Sequence, residues 1–196
     1  MSKSTGNFRT ICQAIEEFSA DATRFSLADT TDGADDANFS FEKANNAILR
    51  LTQEITWYEK NLAAESSIRV GALSTYVDHV FANAINIAVK TTEQNYTNCM
   101  FWEALKNGFY DLQAARDEYR TTYNYNNKDN IEDDNHDLVW RFMDVQTRLL
   151  VPICPHYAEF IWREILKKDG FVVKAGWSKA DAPDHTLTSC KTLLLI

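Results

Sequence analysis

The chain has 196 residues, 45% of them hydrophobic and 12% aromatic, with only 6 glycines and 3 prolines. That composition supports one good core or two small ones and excludes a disordered chain or a turn-rich all-β architecture. A formal net charge of -8 excludes indiscriminate attraction to nucleic acid, so any RNA contact has to come from a local basic patch. No apolar run approaches the roughly 20 residues of a membrane span and no charged-then-apolar leader pattern occurs, so a soluble chain is expected. Cys12, Cys99, Cys154 and Cys190, like His79, His136, His156 and His185, are dispersed, with no C-x-x-C pair and no metal-ligand spacing. Reduced and mostly buried thiols are expected, which suits the cytosol.

The chain opens Met1-Ser2-Lys3-Ser4-Thr5-Gly6-Asn7-Phe8. Lys3 offers ammonium donors, the flanking Ser2 and Ser4 add hydroxyls, and Gly6 lets the backbone come close to a ligand. This is chemistry for a mobile clamp on phosphate, although stretches of this kind also occur as plain frayed termini. Asn7 can cap a short amphipathic helix marked by Ile11, Ile15 and Phe18. Ser19-Ala20-Asp21 punctuates the chain, a second short helix runs through Phe25, Leu27 and Ala28, and a polar loop begins at Asp29.

From about Asp36 the apolar period lengthens. Phe41, Ala44, Ile48, Leu51, Ile55, Tyr58 and Leu62 predict one long helix with a continuous seam, ending before Glu65-Ser66-Ser67. A second long helix is expected from about Ser74, with Val77, Phe81, Ala84 and Ala88 on its face and Val80, Ile85 and Ile87 widening the stripe. Phe101, Leu105, Gly108, Leu112, Ala115 and Tyr119 define a third, in which Gly108 allows a neighbouring helix to approach. Outside that seam, Lys106, Arg116 and Arg120 sit beside Asp117 and Glu118, and read either as intrahelical ion pairs or as a phosphate-binding set.

Thr121 to His136 is crowded with Asn and Asp and is expected to be a polar loop that does not touch RNA. A fourth helix starts near Asp137, with Arg141 and Arg148 two turns apart, which could straddle a phosphate backbone or be paired at the surface. Pro152 and Pro155 end it. Pro155 opens the next helix, on which His156 and Glu159 are expected to form a structural hydrogen-bonding pair rather than a metal site, with Trp162 in the core. Phe171-Val172-Val173 reads as a short strand or irregular tail. The fold class is therefore all-α: a loop and helical connector over 1–35, a helical bundle over 36–170 and a tail over 171–196.

Several of these stretches carry a family resemblance. MSKSTGNF resembles the KMSKS signature loop of class I aminoacyl-tRNA synthetases without its leading lysine. SADATRFSLAD, DDANF and ALKNGFYDLQAARDEYR resemble leucyl-tRNA synthetases of the eukaryotic and archaeal type. PICPHYAEFIW resembles the P-x-x-P-H-x-x-E-x-x-W hallmark of the anticodon-binding helical domain, and Gly176-Trp177 echoes the close of that domain. STGNF in place of SLGN favours leucine as the amino acid.

The resemblance implies a part of an enzyme that joins leucine to tRNA(Leu) at the expense of ATP. Lys3 would be catalytic, steadying the pyrophosphate leaving group, and Ser2, Lys3 and Ser4 would contact ATP. The Mg2+ that accompanies ATP, and the leucine pocket, would belong to a catalytic domain whose HIGH-type motif is absent from these residues. Lys106, Arg116, Arg120, Arg141 and Arg148 become the candidate tRNA contacts. Expected partners are tRNA(Leu) and proteins of a synthetase complex; no metal bound by this chain and no membrane are expected, and the location is cytoplasmic. The short chain, read as a fragment or a gene begun at the wrong methionine, is expected to be inactive alone. The competing reading is a free-standing, non-catalytic helical module that binds tRNA or a protein.

Overall fold

The computed structural model describes residues 9–30, 39–123 and 134–187. Its helices are α1 (Ile11–Phe18), α2 (Ala20–Ala28), α3 (Phe41–Ala63), α4 (Tyr76–Thr97), α5 (Phe101–Leu105), α6 (Leu112–Tyr123), α7 (His136–Leu150) and α8 (Pro155–Phe160). Among the described residues there is no strand, only one isolated parallel bridge between Arg69 and Asn135, so the class is all-α as the periodicity predicts.

Side-chain caps set most helix starts. Thr10 closes a capping box with Gln13 at α1, Ser40 accepts from the Lys43 N–H at α3, Thr75 closes a box with Asp78 at α4, and Asn135 accepts from the Leu138 N–H at α7. Asn7, the expected first cap, lies outside the described residues. Ser19 alone separates α1 from α2: its φ of 77° breaks the first helix while its hydroxyl caps the second, so Ala20 and Asp21 are already helical. The punctuation is one residue wide, not three.

The α3 seam is rotated from its expected position. Ala44, Ala47, Leu51, Glu54, Tyr58 and Asn61 face the interior, whereas Phe41 and Ile48 are 38% and 39% exposed. The small side chains of Ala44 and Ala47 permit close approach, and Glu54 can enter because a cation meets it there.

α5 and α6 are one helix interrupted by a π-helical turn over Lys106–Asp111. The expected seam holds on both sides of the turn, with Leu105, Gly108, Leu112 and Tyr119 buried; the turn adds Phe109, which is fully buried, while Phe101, the first residue of α5, is 45% exposed. Gly108 sits in the turn as expected for close packing. A Cβ there would lie 3.0 Å from both Thr92 Cγ2 and Thr92 Oγ1 and 3.4 Å from Leu149 Cβ, on α4 and α7.

α4 packs on α5, α6 and α7, and α2 lies against α3. At the centre Phe81 stacks on Tyr119 at 4.7 Å between centroids, Trp57 meets Phe142 edge-on at 5.5 Å, and Phe25 from α2 meets Phe109 at 5.4 Å. Such pairs add about 0.5–1.5 kcal/mol each beyond the area they bury. The connector helix α2 is thereby part of the bundle's core.

After α8 a second π-helical turn, Ile161–Ile165, continues the helix. Of the two readings for Phe171–Val173, short strand or irregular tail, the strand is not formed: Val172–Lys174 is a 3₁₀ turn, with the Val172 N–H taken by the Glu159 carboxylate at 2.9 Å and no strand among the described residues to offer a ladder. The following residues run along α4. Asn83 exchanges two 2.8 Å hydrogen bonds with the Asp184 backbone, and Asn86 accepts from the Asp181 N–H at 3.2 Å.

Candidate functional site

Two stretches that carry the family resemblance meet at Asp21. This α2 carboxylate accepts a 2.6 Å hydrogen bond from the Tyr157 N–H in the first turn of α8, where helical N–H groups are otherwise unpaired. Its other oxygen pairs with Arg24, whose Nε donates to the Ile153 carbonyl at 2.8 Å. His156 Nδ1 approaches the same oxygen at 3.6 Å and its ring is largely exposed, while Glu159 serves Val172. The expected His156–Glu159 pair is therefore not formed: His156 approaches Asp21 on α2 and Glu159 holds Val172, so each joins α8 to another segment. Trp162 is core, as expected, at 5% exposure. The Cys154 thiol is buried here and burial pushes it up, whereas Cys12 and Cys99 are exposed, against expectation, because both lie at helix surfaces or ends.

The candidate basic residues do not form one surface. Arg116 NH1 meets Glu54 at 2.6 Å in a buried pair, with Gln113 donating to the other Glu54 oxygen at 2.5 Å. The guanidinium also lies 4.3 Å from the Trp57 ring centre and pairs with Asp117 at 2.9 Å. Burial raises the Glu54 carboxyl, opposed by Arg116 and Gln113. Arg120 donates to Asp134 at 3.1 Å, and Asp134 is fully buried. Arg116 thus ties α6 to α3 as well as to Asp117 on its own helix, and Arg120 ties α6 to Asp134 beyond it, so neither is a purely intrahelical pair.

Arg141 donates to Asn86 on α4 at 2.5 Å. Arg148 pairs with Asp144 at 3.0 Å, donates to the Ala175 carbonyl at 3.1 Å and lies over Trp162 at 5.1 Å, so the two arginines engage separate partners. Lys106, half exposed in the π-helical turn, pairs with Asp111 at 3.2 Å. Ser2, Lys3 and Ser4 lie outside the described residues.

A second buried polar joint fixes the end of the Asn-rich loop. Asp78 accepts from Arg69 at 2.8 and 3.0 Å, from the Ser74 and Thr75 N–H groups at 3.0 and 3.2 Å, and from the Tyr119 hydroxyl at 2.9 Å. Burial pushes its carboxyl up, but these donors outweigh burial and hold it at about 2. Tyr119 in turn accepts from the Asn135 N–H at 2.9 Å, and Asn135 donates to the Gly71 carbonyl at 3.0 Å. His136 bridges Asp137 and Glu65 at 3.1 Å each and stacks on Trp140; burial lowers its pKa, but the two carboxylates outweigh that and raise it. The polar loop therefore ends in a structural joint at Asp134-Asn135 rather than at a solvated hinge. Nothing in periodicity could have marked these residues; the Asn135 cap signal was the available clue.

Between α4 and α6 runs a groove of about 220 Å³ lined by Val77, Val80, Ala84, Ile87 and Ala115, with Leu187 against it. Among the described residues, no helix is long and apolar enough to cross a membrane.

Residues 78–194 match a family described as the anticodon-binding domain of tRNA ligase. The chain is 59% identical over 99% of its length to the cytoplasmic leucine–tRNA ligase of Arabidopsis thaliana, of which it covers 17%. It is 43% identical over its whole length to that of Pongo abelii, covering 16% of that protein, and 40% identical over 93% of its length to that of Saccharomyces cerevisiae, again covering 16%. The chain thus spans about a sixth of the length of these relatives.

Proposed function

The chain belongs to the anticodon-binding domain family of tRNA ligases, and from that premise we propose that it supplies the tRNA-holding helical part of a leucine–tRNA ligase. The observation that carries this reading is the similarity to leucine–tRNA ligases along 99% of the chain, joined to the family match over residues 78–194. In the whole reaction ATP and leucine give leucyl-adenylate and pyrophosphate, and the leucyl group passes to the terminal adenosine of tRNA(Leu). Lys3 meets charge developing on the leaving phosphates, with Ser2 and Ser4 beside it on ATP. Mg2+ enters with ATP through the catalytic domain, and the working location is the cytoplasm.

The bundle's part is to hold tRNA in a fixed relation to that loop. Asp21 supports this division of labour, because it locks the connector that follows the loop onto the first turn of α8. Of the five candidate cations, Lys106 keeps the most exposed charge for a phosphate. Arg116, Arg120, Arg141 and Arg148 act chiefly by fixing the helices that present the surface.

The test is binding of a tRNA(Leu) transcript to the 196-residue chain across a salt series. Affinity should fall linearly on logarithmic axes, as counterion release requires. Leucine-dependent pyrophosphate exchange by the chain alone should be absent. The net charge of -8 favours a second reading, a non-catalytic module that docks on a protein. A chain with no salt-dependent affinity for tRNA would support that reading and remove the first.

A further inference from the structure

Residues 160–179 contain Arg163, Lys167, Lys168, Lys174 and Lys179 against Glu164 and Asp169, a net +3 in a chain whose total is -8. The remainder of the chain is accordingly at -11. Arg163, Lys167, Lys174 and Lys179 are all exposed. Two of these cations converge on one aromatic ring: the Arg163 guanidinium lies 5.9 Å, and the Lys174 ammonium 5.8 Å, from the centre of Phe171. Phe171 itself is 53% exposed.

This exposure is built rather than incidental. The next residue, Val172, is buried against Ala158 and Trp162, and its N–H is held by Glu159 at 2.9 Å. Trp162 Nε1 donates to the Asp169 carbonyl at 3.3 Å, two residues before Phe171 in the chain, and Arg148 holds the Ala175 carbonyl at 3.1 Å, four residues after it. Four fastenings fix a short turn whose most apolar side chain points away from the core. Neither Arg163 nor Lys174 has a carboxylate within ion-pair distance among the described residues.

We propose that Phe171, Arg163 and Lys174 form an RNA-binding subsite, in which an unpaired base stacks on Phe171 and its flanking phosphates meet the two cations. Every base has a π-face, and a fixed exposed ring with cations beside it binds single-stranded nucleotides with little sequence preference. The rest of the chain carries a net charge of -11, which favours phosphate at this corner over most of the remaining surface. The site deepens the proposed tRNA-holding role and rests on it.

The experiment is a salt series of tRNA(Leu) transcript binding to the 196-residue chain and its variants. Phe171→Ala should weaken binding about 5- to 100-fold with an unchanged salt slope, and Phe171→Tyr should restore it. Arg163→Gln with Lys174→Gln should lower the magnitude of the slope by about 1 to 2. Val70→Ala, at a residue 77% exposed elsewhere, should change nothing. Thermal midpoints should be unaltered throughout, because the buried anchor is Val172. Full affinity in Phe171→Ala, or an unchanged slope in the double variant, would overturn the subsite while leaving the tRNA-holding role intact. No tRNA binding by the unsubstituted chain would overturn both.

Discussion

The Asp21 carboxylate on α2 accepts the Tyr157 N–H of α8 at 2.6 Å across 136 residues of sequence. One oxygen caps a helix and the other holds Arg24, so the connector is fastened by charge-assisted hydrogen bonds and not only by apolar contact. Asp21→Ala leaves a buried N–H and a partly buried guanidinium without their acceptor. The expected loss is on the order of 1–3 kcal/mol, read as a lower urea midpoint at unchanged slope. Asp21→Asn, which keeps an acceptor oxygen, should lose less; equal losses would mean that the capping bond contributes nothing.

Arg116 and Glu54 should behave as a unit. Removing one partner strands a buried charge, so Glu54→Ala or Arg116→Ala should each destabilise by about 3–5 kcal/mol. Replacing both with apolar residues of similar volume should recover most of that loss. If Arg116 is a positioning residue, the refolded double variant keeps tRNA affinity and its salt slope. A lost phosphate contact would instead lower both even where stability is restored.

Two joints make stability depend on pH in opposite directions. Asp78 is held at about 2 against an ordinary value of 3.8, so its stabilisation is present above the unfolded value and is lost as pH falls toward 2. That loss is on the order of 2 kcal/mol. Burial raises Glu54, which opposes the trend in the same acidic range, so the measurement is the difference between the wild type and Asp78→Asn from pH 5 to 2. His136 is raised above 6.5 by Asp137 and Glu65. Its contribution is complete below that value and is lost as pH rises through the folded one. A urea midpoint that falls between pH 6 and 8 in the wild type, but not in His136→Gln, is the expected result.

The helices are legible because apolar spacing is a local signal, and Pro155 stands where a helix start requires it; exact starts are less so, since the caps prove to be Thr10, Ser40 and Thr75 rather than Asn7 or the neighbourhoods of Asp36 and Ser74. What local pattern cannot convey is which neighbour a side chain meets. The Phe41–Ile48 seam is sound as a helix signal, yet the buried face runs through Ala47 and Glu54, because Arg116 lies opposite. Likewise the spacing leaves Arg116 and Arg120 on one helix, and Arg141 and Arg148 on the next, open to pairing or to phosphate, until Glu54, Asp134, Asn86 and Asp144 are placed beside them. Phe171 lies in a turn, where periodic spacing carries no signal. Its signal was compositional, the local excess of Lys and Arg in an acidic chain.

Lys3 separates the two halves of the proposed role. In a leucine–tRNA ligase that carries these 196 residues in place, Lys3→Ala should slow leucyl-adenylate formation by about 10²–10³-fold, the scale of losing one preorganised electrostatic donor at a developing charge. Affinity for the tRNA(Leu) transcript should change by less than about threefold, because the bundle and its Phe171 corner remain intact. Asp21→Ala in the same ligase should act differently. By loosening the connector from α8 it should disturb the coupling between loop and bundle, slowing transfer to tRNA more than adenylate formation, provided that the variant is assayed below its unfolding midpoint. Pyrophosphate exchange and single-turnover aminoacylation measure the two steps separately. Equal losses of adenylate formation and tRNA affinity in Lys3→Ala would remove Lys3 from the leaving-group role and make the loop a tRNA contact instead.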